Sequence, residues 1–319
     1  MKLFFFVLLW VGFSALPGKG GGIDLSRLGA SFAPNKIPIA WPCTNALPEK
    51  VFRFKVANTN YPASLTSNLL NLAEFTEQNR AVPEGEGVFK DHNVRYYRSP
   101  DQKRFLGIFP GQGWILYKNS AAIASTRQTN ESVPDEKQAL TLARQTFQRL
   151  GLAESELAFT PGGSSLDYTH AVRERSRRSP DANNLKTDTI ARFLFFKRTI
   201  NGFSSVGRGV AGGIWIGFGN AGQICDFEMV WRNVIPDKPQ SVPGSPEIIR
   251  AIAKGHSVIQ FDNPKAIESI SVNQVNIHYL EFPGIERQRE IYPYLRLNCL
   301  VSCQGRQEAA VICLPLADE

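Results

Sequence analysis

This chain lacks the usual sequence signatures of catalysis. It contains no GxSxG, HExxH or Walker A sequence, so a nucleophile elbow, a zinc-protease helix and a phosphate-cradling loop are excluded in their common forms. Histidine is scarce: His92, His170, His256 and His278 are scattered, and none stands beside a Cys, Asp and Glu set with ligand spacing. The five cysteines (Cys43, Cys225, Cys299, Cys303, Cys313) include no CxxC pair, so no metal site is expected from them. In an exported chain they could form up to two disulfides with one thiol left over, or stay reduced and buried. Charge of one sign is not abundant either. The 36 Lys and Arg against 29 Asp and Glu give a formal +7, a modest excess that favours acidic surfaces and does not point to nucleic acid.

No apolar run reaches the roughly 20 residues that a membrane helix needs. The longest, Leu3 to Leu16, comes after Met1-Lys2 and ends at Pro17-Gly-Lys-Gly-Gly-Gly22, which breaks any helix. This is the grammar of a secretory signal. Residues 1–22 are therefore expected to be a signal peptide or an uncleaved N-terminal anchor, through which the chain could contact a membrane. No Cys stands just after the run, which argues against a lipoprotein. The mature protein is expected outside the cytoplasm, secreted or tethered. Residues 23–50, with four prolines, read as an extended linker.

The rest of the chain is ordinary globular material, in a sequence 43% hydrophobic and 20% charged, and its punctuation divides it into three helix-plus-strand units. In the first, residues 51–128, a strand over Val51–Ala57 precedes a helix from about Pro62 to Gln78 that Thr59 or Asn60 can cap. Its Leu65, Leu69, Leu72 and Phe75 form one apolar stripe, and strands are expected around Tyr96, Leu106 and Ile115. The second unit, residues 132–236, opens with a helix that Ser132 or Asp135 can cap, with Ala139, Ala143, Phe147 and Leu150 inward and Gly151 as terminator. The stretch from Ala191 to Ile235 then reads as a β-meander. Asn201-Gly202 suits a tight hairpin, and Ile214, Ile216 and Phe218 alternate with Trp215 and Gly217, so both sheet faces carry apolar surface. Between helix and meander, the polar segment 172–188 carries Arg173, Arg175, Arg177 and Arg178 and is expected to be an exposed, mobile loop. The third unit, residues 245–319, begins with a helix for which Ser245 is the expected N-cap and Pro246 the first residue.

The helix EKQALTLARQTFQRLGL (Glu136 to Leu152) and, after it, FLFFKRTINGFSSVGRGVAGGIWIGFGNAGQICDFEMVW (Phe193 to Trp231) together resemble a PepSY-type module. The third unit, from SPEIIRAIAKG through NIHYLEF to YPYLRL, is similar to the C-terminal part of YycH/YycI-type regulators of two-component sensor kinases. The resemblance implies an α+β protein of tandem modules, each an antiparallel sheet covered by one helix. It further implies binding, inhibition or regulation outside the membrane, with a protein or peptide of the cell envelope as partner and no cofactor.

Candidate chemistry is thin. Gly207-Arg-Gly-Val-Ala-Gly212 satisfies GxGxxG, but a dinucleotide site needs that loop to open a helix, and here the next residues, Ile214-Trp-Ile, are strand-like. His278 reads as a hydrogen-bonded structural histidine in an alternating strand. Glu281, Glu286 and Glu290, with Arg287 and Arg289, read as a solvated loop around Pro283-Gly284. Trp114, Trp215 and Trp231 read as sheet packing. The residues expected to meet a partner are Phe203, Arg208 and Trp215, with Arg173, Arg175, Arg177 and Arg178 as a basic patch. An extracytoplasmic hydrolase assembled only in three dimensions, or an envelope structural protein, stand as alternatives to this non-catalytic binder.

Overall fold

The computed structural model describes residues 25–34, 36–57, 61, 63–75, 94–123, 133–160, 165–178, 185–207 and 209–316; the expected signal segment, Thr59, Asn60, Ser132 and Arg208 lie outside them. In chain order, β1 (Ala30–Phe32), β2 (Ile39–Ala40) and β3 (Lys50–Ala57) lead to α1 (Ala63–Leu72) and the meander β4 (Arg95–Arg98), β5 (Arg104–Phe109) and β6 (Trp114–Asn119). Helix α2 (Glu136–Leu150) comes next, then β7 (Tyr168–Arg178), β8 (Leu185–Lys197), β9 (Thr199–Ile200), β10 (Phe203–Val206), β11 (Gly213–Phe218) and β12 (Ile224–Val230). The chain continues through β13 (Asn233–Ser241), α3 (Ser245–Ala253), β14 (Ser257–Gln260), β15 (Ile267–Leu280), β16 (Glu290–Cys303) and β17 (Arg306–Pro315). The protein is thus α+β, with its strands gathered into two large sheets. No helix among the described residues is long and apolar enough to cross a membrane.

The first sheet is antiparallel throughout, in the order β4-β5-β6-β12-β11-β8-β7. It joins the first two sequence units: their closing strands β6 and β12 pair side by side, with Tyr117 opposite Phe227 and Ile115 opposite Met229. Helices α1 and α2 lie on one face. Leu65 and Leu69 of α1 and Ala139, Ala143, Phe147 and Leu150 of α2 pack on Leu106, Ile115, Leu194, Phe196, Ile214 and Phe227, all buried. The ring of Phe147 meets that of Phe196 edge-on at 5.0 Å. Helix α2 is well delimited: Asp135 accepts from the Gln138 amide while the Gln138 side chain accepts from the Asp135 amide, and Gly151 ends it at φ 71°. Helix α1 stops at Leu72, short of the expected Gln78, and Phe75 still reaches the core after the last turn.

The second sheet runs β1-β14-β17-β16-β15-β10-β9, with β2 beside β15 and the β3–β13 pair attached through β16. Ile248 and Ile252 of α3 close its core over Val272, Leu295 and Ile312. Sequence pattern and structure differ here in three places. The strand over Val51–Ala57, read with the first unit, pairs instead with β13 and β16 of the second sheet. The segment read as a linker supplies β1 and β2. Helix α3 takes Ser245 as its first residue, with Gly244 as an N-cap that offers no side-chain bond. Pairing partners of these segments lie more than 170 residues away, beyond the reach of any local pattern.

The Asn201-Gly202 turn forms with φ 50° and 81°, as a two-residue hairpin requires. Its destination is unexpected. The β9–β10 hairpin leaves the first sheet, and β10 runs parallel to β15 in the second, Ser205 beside Tyr279, while β8 pairs directly with β11. The two sheets are clasped at this crossing by a buried ionic cluster. Arg232 and Glu281, both with fully buried side chains, approach to 3.3 Å. The Arg232 guanidinium also donates to the carbonyls of Phe282 (2.8 Å), Pro283 (3.1 Å) and Glu286 (3.1 Å). Ser205 Oγ donates to the other Glu281 oxygen at 2.7 Å, and Arg198 donates to the Arg232 carbonyl at 2.7 Å. Glu281 therefore departs from the solvated-loop reading: the turn it precedes is folded against the first sheet, and Arg232 supplies the countercharge that makes its burial tolerable. Burial pulls Arg232 below the ordinary guanidinium value, and Glu281 opposes this.

The GxGxxG glycines serve the same crossing. Gly212 has φ 62°, and a Cβ there would come within 2.7 Å of Glu281 Oε1 and of Ser205 Cβ. The turn leads into strand β11, so it presents no helix N-terminus to a pyrophosphate. Arg232→Met leaves Glu281 buried without its partner and is expected to cost about 3–5 kcal/mol of stability. In urea unfolding, Arg232→Met/Glu281→Leu should recover a large part of that loss; equal instability of the single and double variants would contradict this account.

Candidate functional site

Alternation along the strands of the first sheet leaves one face without a helix layer among the described residues. One cross-strand row on it reads Tyr96, Gly107, Leu116, Glu228, Trp215, Phe195 and Thr169, from β4 to β7. The next reads Arg98, Phe105, Lys118, Asp226, Gly217, Phe193 and Ala171. Aromatic rings and glycines thus adjoin each other, and the rings lie down over the glycines. A Cβ on Gly217 would meet the Phe193 ring at 2.6 Å, and one on Gly213 would meet the Phe195 ring at 2.8 Å. Glycine gives the rings a place to lie flat, and Ala122 and Ile123 pack against the Phe193–Trp215 end of the face.

A column of stacked groups runs across this face to its edge. Trp215 stacks on Phe193 with centroids 5.2 Å apart and planes at 27°, and the Arg173 guanidinium carbon sits 5.3 Å from the Phe193 centroid. Tryptophan, phenylalanine and arginine from β11, β8 and β7 are brought together in this way, each contact of a kind worth about 1 kcal/mol. Beside the column, Lys118 binds Asp226 at 2.6 Å and Trp114 Nε1 donates to Glu228 at 3.0 Å. Burial raises both carboxyls above their ordinary values, against the pull of Lys118. A register shift in the β11–β12 pairing lets Cys225 pack on Phe193 and Ala191. Burial, then Asp226, push its thiol up to about 12, so it is no ready nucleophile. All five cysteines are free thiols.

The arginine segment corrects the expectation of a mobile loop. Tyr168–Arg178 and Leu185–Lys197 are the antiparallel strands β7 and β8, paired as far as Arg178 opposite Leu185. Beyond Arg192, which faces Phe218, β8 has no partner in β11, so the basic half of the hairpin projects past the sheet as a two-stranded ribbon. Polar sequence hid this strand because neither face of an edge ribbon needs an apolar pattern. Arg173, Arg175, Arg177 and Arg178 all lie on β7, the outermost strand of the sheet order. Phe203 lies half-buried on the second sheet, 6.4 Å from the Tyr279 ring and against the cluster of Phe54, Ile200 and Ile291, in a group separate from that of Trp215. Of the expected contact residues, the structure brings Trp215 and Arg173 together and removes Phe203 from them. Phe193, Lys118, Asp226 and Glu228 were not singled out from the sequence; the alternation of glycine and aromatics in β11 and β8 is the signal that marks this face.

Acid–base chemistry finds little to work with. His278 is pushed down to about 4, first by burial and then by Arg296, while a bond with the Ser204 backbone opposes the shift. The neighbouring Glu281 is held by Arg232 and Ser205. A surface group, His170 at 3.4 Å from Glu136 with Tyr168 donating to Glu136 at 2.9 Å, ties β7 to α2. A cleft of about 420 Å³ between α2 and the first sheet is lined by Arg104, Tyr117, Thr146 and Arg149 among others, and Glu74 engages Arg104 at 2.6 Å. No group of three His, Cys, Asp or Glu among the described residues could hold a metal ion.

No protein-family model matches the chain, and neither does any curated protein. Among solved structures, an uncharacterised protein from Eubacterium rectale ATCC 33656 aligns with a TM-score of 0.49 and 11% identity, over 87% of each chain.

Gly217→Val should push Phe193 off the sheet, cost about 1–3 kcal/mol as overpacking does, and change the fluorescence environment of Trp215; unaltered emission and stability would show that the ring does not rest there. His278 has a folded value below its unfolded one, so its contribution to stability is present above pH 6.5 and is lost as pH falls toward 4. The difference in stability between wild type and His278→Gln, measured by chemical unfolding across that range, should fall with pH; a flat difference would contradict the burial argument.

Proposed function

We propose that this chain is an exported, non-catalytic binding or regulatory protein built of PepSY-like modules. Its partner is a protein or peptide of the cell envelope, engaged through the helix-free face of the first sheet and the β7 edge beside it. The observation that carries this reading is the column Trp215–Phe193–Arg173, which sets a half-buried indole, a phenyl ring and an exposed strand arginine in line from the middle of the sheet to its border. Such aromatic and arginine combinations concentrate binding energy at protein interfaces. The two helix-plus-meander units that form the sheet favour the PepSY-like description, and residues 1–22 favour export. The groups that could have served catalysis support it too, because the buried acid and guanidinium are committed to holding the sheets together.

Retention of envelope proteins by the immobilised chain tests this. A partner should bind saturably to the wild type and at least tenfold more weakly to Trp215→Ala and Arg173→Ala, with both variants as cooperatively folded as the parent. Equal retention by variants and wild type would exclude this face as the docking site.

A further inference from the structure

The outer edge of β7 is more specific than a general binding surface. Among the described residues β7 pairs with β8 alone, and Thr169 to Glu174 are exposed. An edge strand presents its outward backbone N–H and C=O groups to an incoming strand, which can add to the sheet by main-chain bonds. At about 3.4 Å per residue the eleven residues of β7 span roughly 35 Å, enough for a peptide of similar length. The strand is divided by character. Its first half, Tyr168-Thr-His-Ala-Val172, is largely uncharged, with Val172 41% exposed. Its second half, Arg173-Glu-Arg-Ser-Arg-Arg178, carries four arginines against one glutamate.

Every pairing in this sheet is antiparallel, and an added strand that continues the pattern runs opposite to β7. Its N-terminal half then lies against Arg173–Arg178 and its C-terminal half against Tyr168–Val172. We infer that β7 accepts an extended peptide segment, antiparallel, whose N-terminal half is acidic and whose C-terminal half is rich in β-branched residues. This deepens, and rests on, the reading of the first sheet as the docking element. It names the chemical class of the partner and the direction in which the partner binds. Cross-strand pairs of opposite charge and of β-branched side chains supply the preference for order, while the main-chain bonds supply affinity whatever the order.

The test uses the full chain and fluorescein-labelled peptides of about ten residues, an acidic Glu/Asp half and then a Thr/Val half, the same halves in reverse order, and the first peptide N-methylated at alternate residues on either register. Fluorescence anisotropy at physiological salt should show the acidic-first peptide binding at least tenfold more tightly than the reversed one. N-methylation in one register should abolish its binding, because that register loses the donors facing β7. Arg177→Glu/Arg178→Glu should remove the preference for order. Equal binding of both orders, or binding indifferent to methylation in both registers, would overturn the inference and leave only an electrostatic patch. Co-sedimentation with phosphatidylserine vesicles in the absence of any order preference would overturn it in favour of a lipid surface. Order preference and methylation sensitivity with no retained envelope protein would uphold the strand edge and sink only the envelope-partner reading.

Discussion

The arrangement of the two sheets depends on one buried pair of charges. Arg232 leaves the end of β12 and meets Glu281, which stands just past the end of β15, where neither side chain touches water. Burying either charge alone is prohibitive, and burying both is eased here by the carbonyls of Phe282, Pro283 and Glu286, which take up the two terminal guanidinium nitrogens of Arg232 while its Nε stays without a partner. This requirement is directional in a way that apolar packing is not. It sets where the turn after β15 must sit, why Gly212 must be small, and why the β9–β10 hairpin crosses from one sheet to the other with Ser205 against the carboxylate.

With that crossing settled, the first sheet has its two faces set to different uses. One is a conventional core under α1 and α2. On the other, Phe193 and Phe195 lie over glycines, and Phe193 is buried in a cluster with Ala122 and Ile123 while Phe195 stays half-buried. Aromatic groups held flat on a rigid sheet have little conformational entropy left to lose.

Much of the local structure was legible from residue order. The capping box of α2, its terminator Gly151, the positive-φ turn at Asn201-Gly202 and the inward set Ile214, Ile216 and Phe218 all obey short-range rules, and all are present. The basic strand β7 was not legible, because its side chains from Thr169 to Glu174 are exposed and no buried face imposes alternation along it. The surroundings of Phe203 were not legible for the opposite reason: they come from Tyr279 and the second sheet, far away in sequence. Of the helix-free face, Trp215 and Arg173 could be named from the residues alone, but their connection through Phe193 could not.

The sequence by itself determined the α+β class, the three helices and the apolar strands of the meander, and which side of those elements must be buried, since these depend on periodicity and capping within a few residues. Only the tertiary structure decided that two units share one sheet, that β3 belongs with β16, and that a glutamate beside a Pro-Gly turn lies in the interior. Those outcomes depend on strand partners and countercharges separated by tens to hundreds of residues, whose meeting is settled by backbone hydrogen bonding and desolvation across the whole chain, and no local pattern records them.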